Sequence, residues 1–123
     1  DEWHLRLFGQ DADAPEHDQR HGIVEGIMWE VAQRTLTLGT DVILDYGFWG
    51  REERDGLRAQ ARALGAGFEM HYLPVSEPEL LRRLRARNAD PSGRSFVISE
   101  QAMRGYMAQF QAPTEEELAL SAR

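Results

Sequence analysis

From His21 to Leu38 the apolar residues Ile23, Ile27, Met28, Val31, Leu36 and Leu38 recur near the helical period, and Gly39 follows them. The spacing predicts a helix stopped by glycine. The pattern then changes. Val42, Ile43 and Leu44 are consecutive and apolar, which predicts a strand over about 41–46, covered on both faces as in parallel sheets. Leu57, Ala61 and Leu64 mark the inner face of a helix from about Arg51 to Leu64, closed by Gly65. A second apolar stretch, about 67–73, reads as another strand. Strand, helix and strand within roughly thirty residues predict a βαβ unit with a right-handed crossover.

The flanks are less regular. Asp1 to Gly9 carries Trp3, Leu5, Leu7 and Phe8 around His4 and Arg6 and reads as a short helical or turn segment, and Gln10 to Arg20 as an exposed polar loop. Ser76-Glu77-Pro78-Glu79 has the form of a capping box with proline in the first turn, which predicts a helix to about Asn88. Asp90-Pro91-Ser92-Gly93 is a break. Ser99 can cap a further helix, with Met103, Tyr106, Met107 and Phe110 on one face. Thr114 to Glu117 repeats the capping-box form, and Leu118 to Leu120 reads as helix or edge strand. No repeat or linker divides residues 1–123, so one domain is expected. Two parallel strands make a poor sheet, and the start at Asp1 without methionine adds to the expectation of an N-terminally truncated α/β domain.

Composition removes several classes of function. There are 21 acidic and 14 basic residues, a formal charge of -7, which argues against broad binding to nucleic acid or an anionic membrane. Cysteine is absent, and with it disulfides, thiol nucleophiles and cysteine zinc sites. No apolar run reaches the length of a membrane span or signal core, so a cytoplasmic protein is expected. Every basic residue is arginine. A phosphoaspartate receiver, which needs a lysine, is therefore excluded, and a serine hydrolase lacks its Gly-x-Ser-x-Gly elbow.

Against that background four groups carry chemistry. Asp45, at the end of the first expected strand, sits where α/β sheets bind ligands; it could hold the water shell of Mg2+ or accept a proton, or cap the turn toward Gly47. Leu81 to Asn88 contains four arginines and no acid. Arg83 and Arg87 share a helix face and could clamp a phosphate, or form an exposed face in which Glu79 pairs with Arg83. Arg51 and Arg54 could reach the ligand of Asp45 or sit in a solvated first turn with Arg58. His17 and His21, near Glu16 and Asp18, have metal-ligand spacing if helical, with no third ligand apparent; solvated histidines are the alternative. His71 reads as a core or edge residue. Trp3, Phe48 and Trp49 flank the suspected site and read equally as core.

The run Val42-Ile43-Leu44-Asp45-Tyr46-Gly47-Phe48-Trp49 with Arg51 and Arg54, followed by Arg83-Leu84-x-x-Arg87-Asn88, resembles the small P-loop kinases of the AAA-like ATP-binding group, relatives of zeta toxin and chloramphenicol phosphotransferase. Asp1-Glu2-Trp3 with Arg6-Leu7-Phe8-Gly9, and Pro113 to Leu120, also resemble segments of that family. The resemblance implies a three-layer parallel-sheet domain with a lid-like arginine helix over about 77–89, and transfer of the γ-phosphoryl group of ATP, with Mg2+, to a small acceptor. It makes Asp45 the Walker B carboxylate, touching Mg2+ through water, and Arg83, Arg87 and Asn88 nucleotide contacts. It makes Asp1 a general base, and places Trp3, Arg6, Phe48, Trp49, Arg51 and Arg54 around the acceptor. The family's Gly-x-x-x-x-Gly-Lys-[Ser/Thr] loop does not occur in this sequence.

The expectation is thus a small-molecule kinase, inactive as this chain alone, with a homodimer covering the incomplete sheet edge. The alternative is a non-catalytic interaction domain whose arginine helix meets an acidic partner.

Overall fold

Left-handed glycines close two of the central helices. Gly39 and Gly65 have φ of 80° and 75°, a conformation glycine adopts without a side-chain clash. The computed structural model describes residues 1–90 and 92–120 and contains, among them, six helices: α1 (Glu2–Phe8), α2 (His17–Thr37), α3 (Arg51–Ala63), α4 (Glu77–Asn88), α5 (Glu100–Gln109) and α6 (Glu115–Ala119). Helix α2 begins inside the segment expected to be loop. Pro91, in the expected turn, lies outside the described residues.

The helices are distributed over two compact units. One comprises Asp1–Trp29 and Val75–Met107, and the other Glu30–Pro74 with the segment from Ala108. In the first, Val24, Leu81, Leu84 and Phe96 are buried together with His4 and Asp11. In the second the buried set is Ala32, Ala61, Arg54, Arg58 and Glu117. Charged groups therefore occupy the interior of α3, where Leu57 is only half-buried and Leu64 is exposed.

The expected three-layer parallel sheet does not form: among the described residues there is no strand. Burial nonetheless alternates residue by residue along 41–49 and 66–73. Val42, Leu44, Tyr46 and Phe48 turn one way, as do Phe68, Met70 and Tyr72. Ile43 and Leu73, on the opposite faces, are 92% and 81% exposed. Apolar composition and period-two burial are thus present, but no backbone hydrogen bond among the described residues joins the two segments. A strand pair without a ladder has no sheet to stabilise it. The βαβ unit is corrected to a helix between two segments without strand structure, and the expectation that both faces are covered to one partly covered face.

The caps divide in the same way. Thr114 accepts from the Glu117 N–H at 3.2 Å while Glu117 Oε2 accepts from the Thr114 N–H at 3.0 Å, completing a capping box on α6. Leu118 accordingly lies in a helix. Ser99 accepts from the Ala102 N–H at 3.1 Å. Ser76 makes no side-chain cap bond, and the Glu79 carboxylate, expected to accept from the Ser76 N–H, accepts from Arg82 and Arg83.

Candidate functional site

In the first unit, α4 carries the arginine run. Glu79 lies one turn before Arg82 and Arg83 and accepts from both, at 2.7 and 2.6 Å between Nε and carboxylate. Those two bonds hold the Glu79 carboxyl down to about 2. Arg85 pairs with Glu100 at 2.5 Å and Arg104 with Glu77 at 3.1 Å. The run is therefore an interleaved ion-pair surface rather than a bare cationic face.

Arg87 differs from its neighbours. Its Nη2 donates to the Phe96 carbonyl at 3.5 Å, its Nη1 stands 4.0 Å from Asp1 Oδ2, and its Nε is buried without a hydrogen-bond partner. The structure thus brings Asp1 and Arg87 together at the edge of the Phe96 segment, where Asp1 Oδ2 also accepts from the Phe96 N–H at 3.4 Å. Asn88 faces the same segment. Its amide donates to the Ile98 carbonyl at 2.7 Å and accepts from the Ile98 N–H at 3.3 Å, a two-point clasp that engages both ends of the side chain. Trp3 and Arg6 are exposed on α1.

In the second unit Asp45 is exposed at the end of the Val42–Leu44 run. Gly47 follows, and a Cβ there would overlap the Trp49 indole nitrogen, so the glycine permits the ring to lie across the backbone. The Phe48 ring packs 4.5 Å from Tyr46. The Trp49 carbonyl and the Arg51 N–H both bond to Gln111, each at 2.9 Å.

Arg54 turns inward, contrary to the solvated first turn expected for it. Its Nε and Nη2 reach the two oxygens of Glu117 at 2.9 and 3.3 Å, and its Nη1 donates to the Phe48 carbonyl at 2.9 Å. Arg51 adds a third charge 3.5 Å from Glu117. The Arg54 bond is the main cause that holds the Glu117 carboxyl below its ordinary 4.5; burial opposes it and the Thr114 N–H assists. Arg58 is also buried, with Nη1 on Asp55 at 2.5 Å and the guanidinium 5.2 Å over the Phe68 ring, while its Nε and Nη2 have no partner.

A third constellation involves residues that the sequence leaves without partners. The loop after α1 returns Asp11 beneath both helices. Asp11 Oδ1 lies 2.7 Å from His4 Nε2 and 2.9 Å from His17 Nδ1, and Oδ2 accepts from Arg20 at 3.1 Å. Burial pushes the Asp11 carboxyl up, but the bonds from His4, His17 and Arg20 overcome that and hold it well below its ordinary 3.8. Spacing alone could mark only His17, Arg20 and His21, which share a helix. His4 and Asp11 join them through chain reversal at Gly9, which no local period encodes.

No curated protein and no solved structure matches the chain. A family model described as AAA domain matches residues 1–113, a span that includes Asp1, Asp45 and the α4 arginines. At the level of that family, the match supports a nucleotide-binding, kinase-like role. The chain belongs to the AAA domain family.

Proposed function

We propose that this protein acts as an ATP-dependent phosphotransferase, moving the γ-phosphoryl group to a hydroxyl of a small acceptor. The family match over residues 1–113 carries the reading, and the exposed carboxylate of Asp45 after an apolar run accords with it. Mg-ATP would supply the transferable group and the charge that neutralises it.

The side chains fit that ligand unequally. Asp45 is a hard oxygen donor open to solvent, suited to hold Mg2+ through water. The Arg87 side chain is 37% exposed beside Asp1, and Arg83 is exposed with only Glu79 to release; both suit phosphate oxygens. Asp1, beside Arg87, is the proposed proton acceptor for the acceptor hydroxyl. Trp3, Arg6, Phe48, Trp49 and Arg51 are the proposed acceptor contacts. Arg54 and Asn88 are already engaged inside the fold, so we assign them to positioning Phe48 and the 96–98 segment.

The test is turnover by the product of the entire reading frame. With Mg-ATP it should release ADP in the presence of a suitable small hydroxylated acceptor, and Mg-ATP should raise its melting temperature. Asp45→Asn and Arg83→Ala should depress turnover at least tenfold with little change in melting. Absence of any Mg-ATP effect on that protein would contradict the proposal.

A further inference from the structure

The His4–Asp11–His17 cluster plays no part in the proposed phosphoryl transfer, yet it holds three of the chain's four histidines, with His21 beside His4. We propose that it is a binding site for a divalent transition metal of the zinc class, with His4 Nε2, Asp11 Oδ1 and His17 Nδ1 as ligands.

Convergence is the first argument. The three ligand atoms lie within 4.8 Å of one another. Two imidazole nitrogens meet a single carboxylate oxygen, at 2.7 and 2.9 Å. Ligands about 2.0–2.2 Å from a tetrahedral ion stand roughly 3.3 Å apart, so the 2.7 and 2.9 Å contacts of Asp11 must each widen to admit the ion. Two imidazoles and one carboxylate, with a fourth position for water, form a donor set suited to zinc.

The groups behind the ligands supply the second argument. His4 Nδ1 is 3.4 Å from His21 Nδ1, and His21 Nε2 is 3.2 Å from Glu25 Oε1. Carboxylates only accept. Without a metal, His4 Nε2 must donate to Asp11, His21 Nε2 must face Glu25 with a proton, and one proton must lie between the two Nδ1 atoms. All contacts are then made only when the two rings share three protons, one more than two neutral imidazoles hold. A metal on His4 Nε2 removes that requirement. His4 Nδ1–H donates to His21 Nδ1, His21 Nε2–H donates to Glu25, and both rings are neutral. His17, with the metal on Nδ1, carries its proton on Nε2. The result is a carboxylate–histidine–histidine relay fixing the tautomer of a ligand, while Arg20 holds the free oxygen of the ligating carboxylate; such outer partners orient metal ligands.

Aromatic rings pack against the two imidazole ligands. Phe96 stands edge-on to both His4 and His17, with centroids at 5.0 and 5.1 Å, and Phe8 edge-on to His4 at 5.3 Å. His4 is 1% exposed, whereas His17 is accessible enough to substitute without opening the interior.

The experiment titrates tag-free protein with Zn2+, following its melting temperature, and with Co2+, following visible absorption. Wild type should show a stabilisation saturating at one equivalent of Zn2+ and the intense visible bands of low-coordinate Co2+. His17→Gln, which retains a donor for Asp11 and so should fold, should abolish both signals, as should Asp11→Asn. His21→Gln should weaken binding by roughly 10–100-fold, and His71→Gln, remote in sequence and exposed, should match wild type. No stabilisation in wild type, or binding that persists in His17→Gln and Asp11→Asn, would overturn the assignment.

Discussion

Two buried ionic centres lie in this protein, one in each compact unit, and they differ in kind. At Arg54–Glu117 every contact has one sense: guanidinium and amide N–H groups donate, and carboxylate and carbonyl oxygens accept. At His4–Asp11–His17 the roles depend on where protons sit on the rings. The first arrangement has one satisfied state and acts as a lock between α3 and α6. The second has several, and a cation can choose among them. Burial of charge by itself therefore says little about function; the freedom left in the donor pattern distinguishes a tie from a binding centre.

The sharpest way to break the comparison is Arg54→Ala, which strands a buried carboxylate. Loss of one partner of a buried pair costs about 3–5 kcal/mol, and chemical denaturation should register a loss of that order. His17→Gln, measured without metal, should cost much less, about 1 kcal/mol, because an amide can still donate to Asp11. A similar loss for both variants would erase the distinction. At the α6 end of the lock, Thr114→Ala removes the cap and should cost about 1 kcal/mol. Arg83→Ala, at an exposed pair, should shift melting by no more than about 2 °C.

Acid sharpens the contrast further. The Glu117 carboxyl in the folded protein lies below its ordinary 4.5, chiefly through Arg54. Its contribution to stability is therefore complete above pH 4.5 and is lost as pH falls below that value toward the folded-state pKa. Glu117→Gln, though less stable at neutral pH, should have a flatter stability profile through this window than wild type. An acid limb of equal steepness in both proteins would remove Glu117 as its cause.

The helices were legible because their signals are local. Gly39 and Gly65 stop α2 and α3, and Thr114 with Glu117 caps α6. The sheet was misread from equally local signals: Val42–Leu44 has a strand's composition, but a ladder requires a neighbour, which composition cannot provide. The burial of Arg54 and Arg58 was hidden because their charge pattern at the start of α3 is also that of a solvated turn. The Glu79 half of the expected capping box was lost to competition, since two arginines lie within reach of its carboxylate. Of the candidate site, Asp45 and the α4 arginines were visible as motifs; the histidine centre was half visible, with His17 and His21 in register on α2 but His4 and Asp11 supplied by a reversal at Gly9. None of the helices in the described residues is long and apolar enough to cross a membrane.

Nitrogen-15 NMR of the imidazole rings during Zn2+ titration tests the difference between the two centres most directly, because His71 serves as an internal control. The account predicts that His4 Nε2 and His17 Nδ1 move to metal-bound shifts at one equivalent, that His21 settles into the tautomer protonated on Nε2, and that His71 and the Arg54 guanidinium signals remain unchanged. Movement of all four histidines together, or of none, would contradict it.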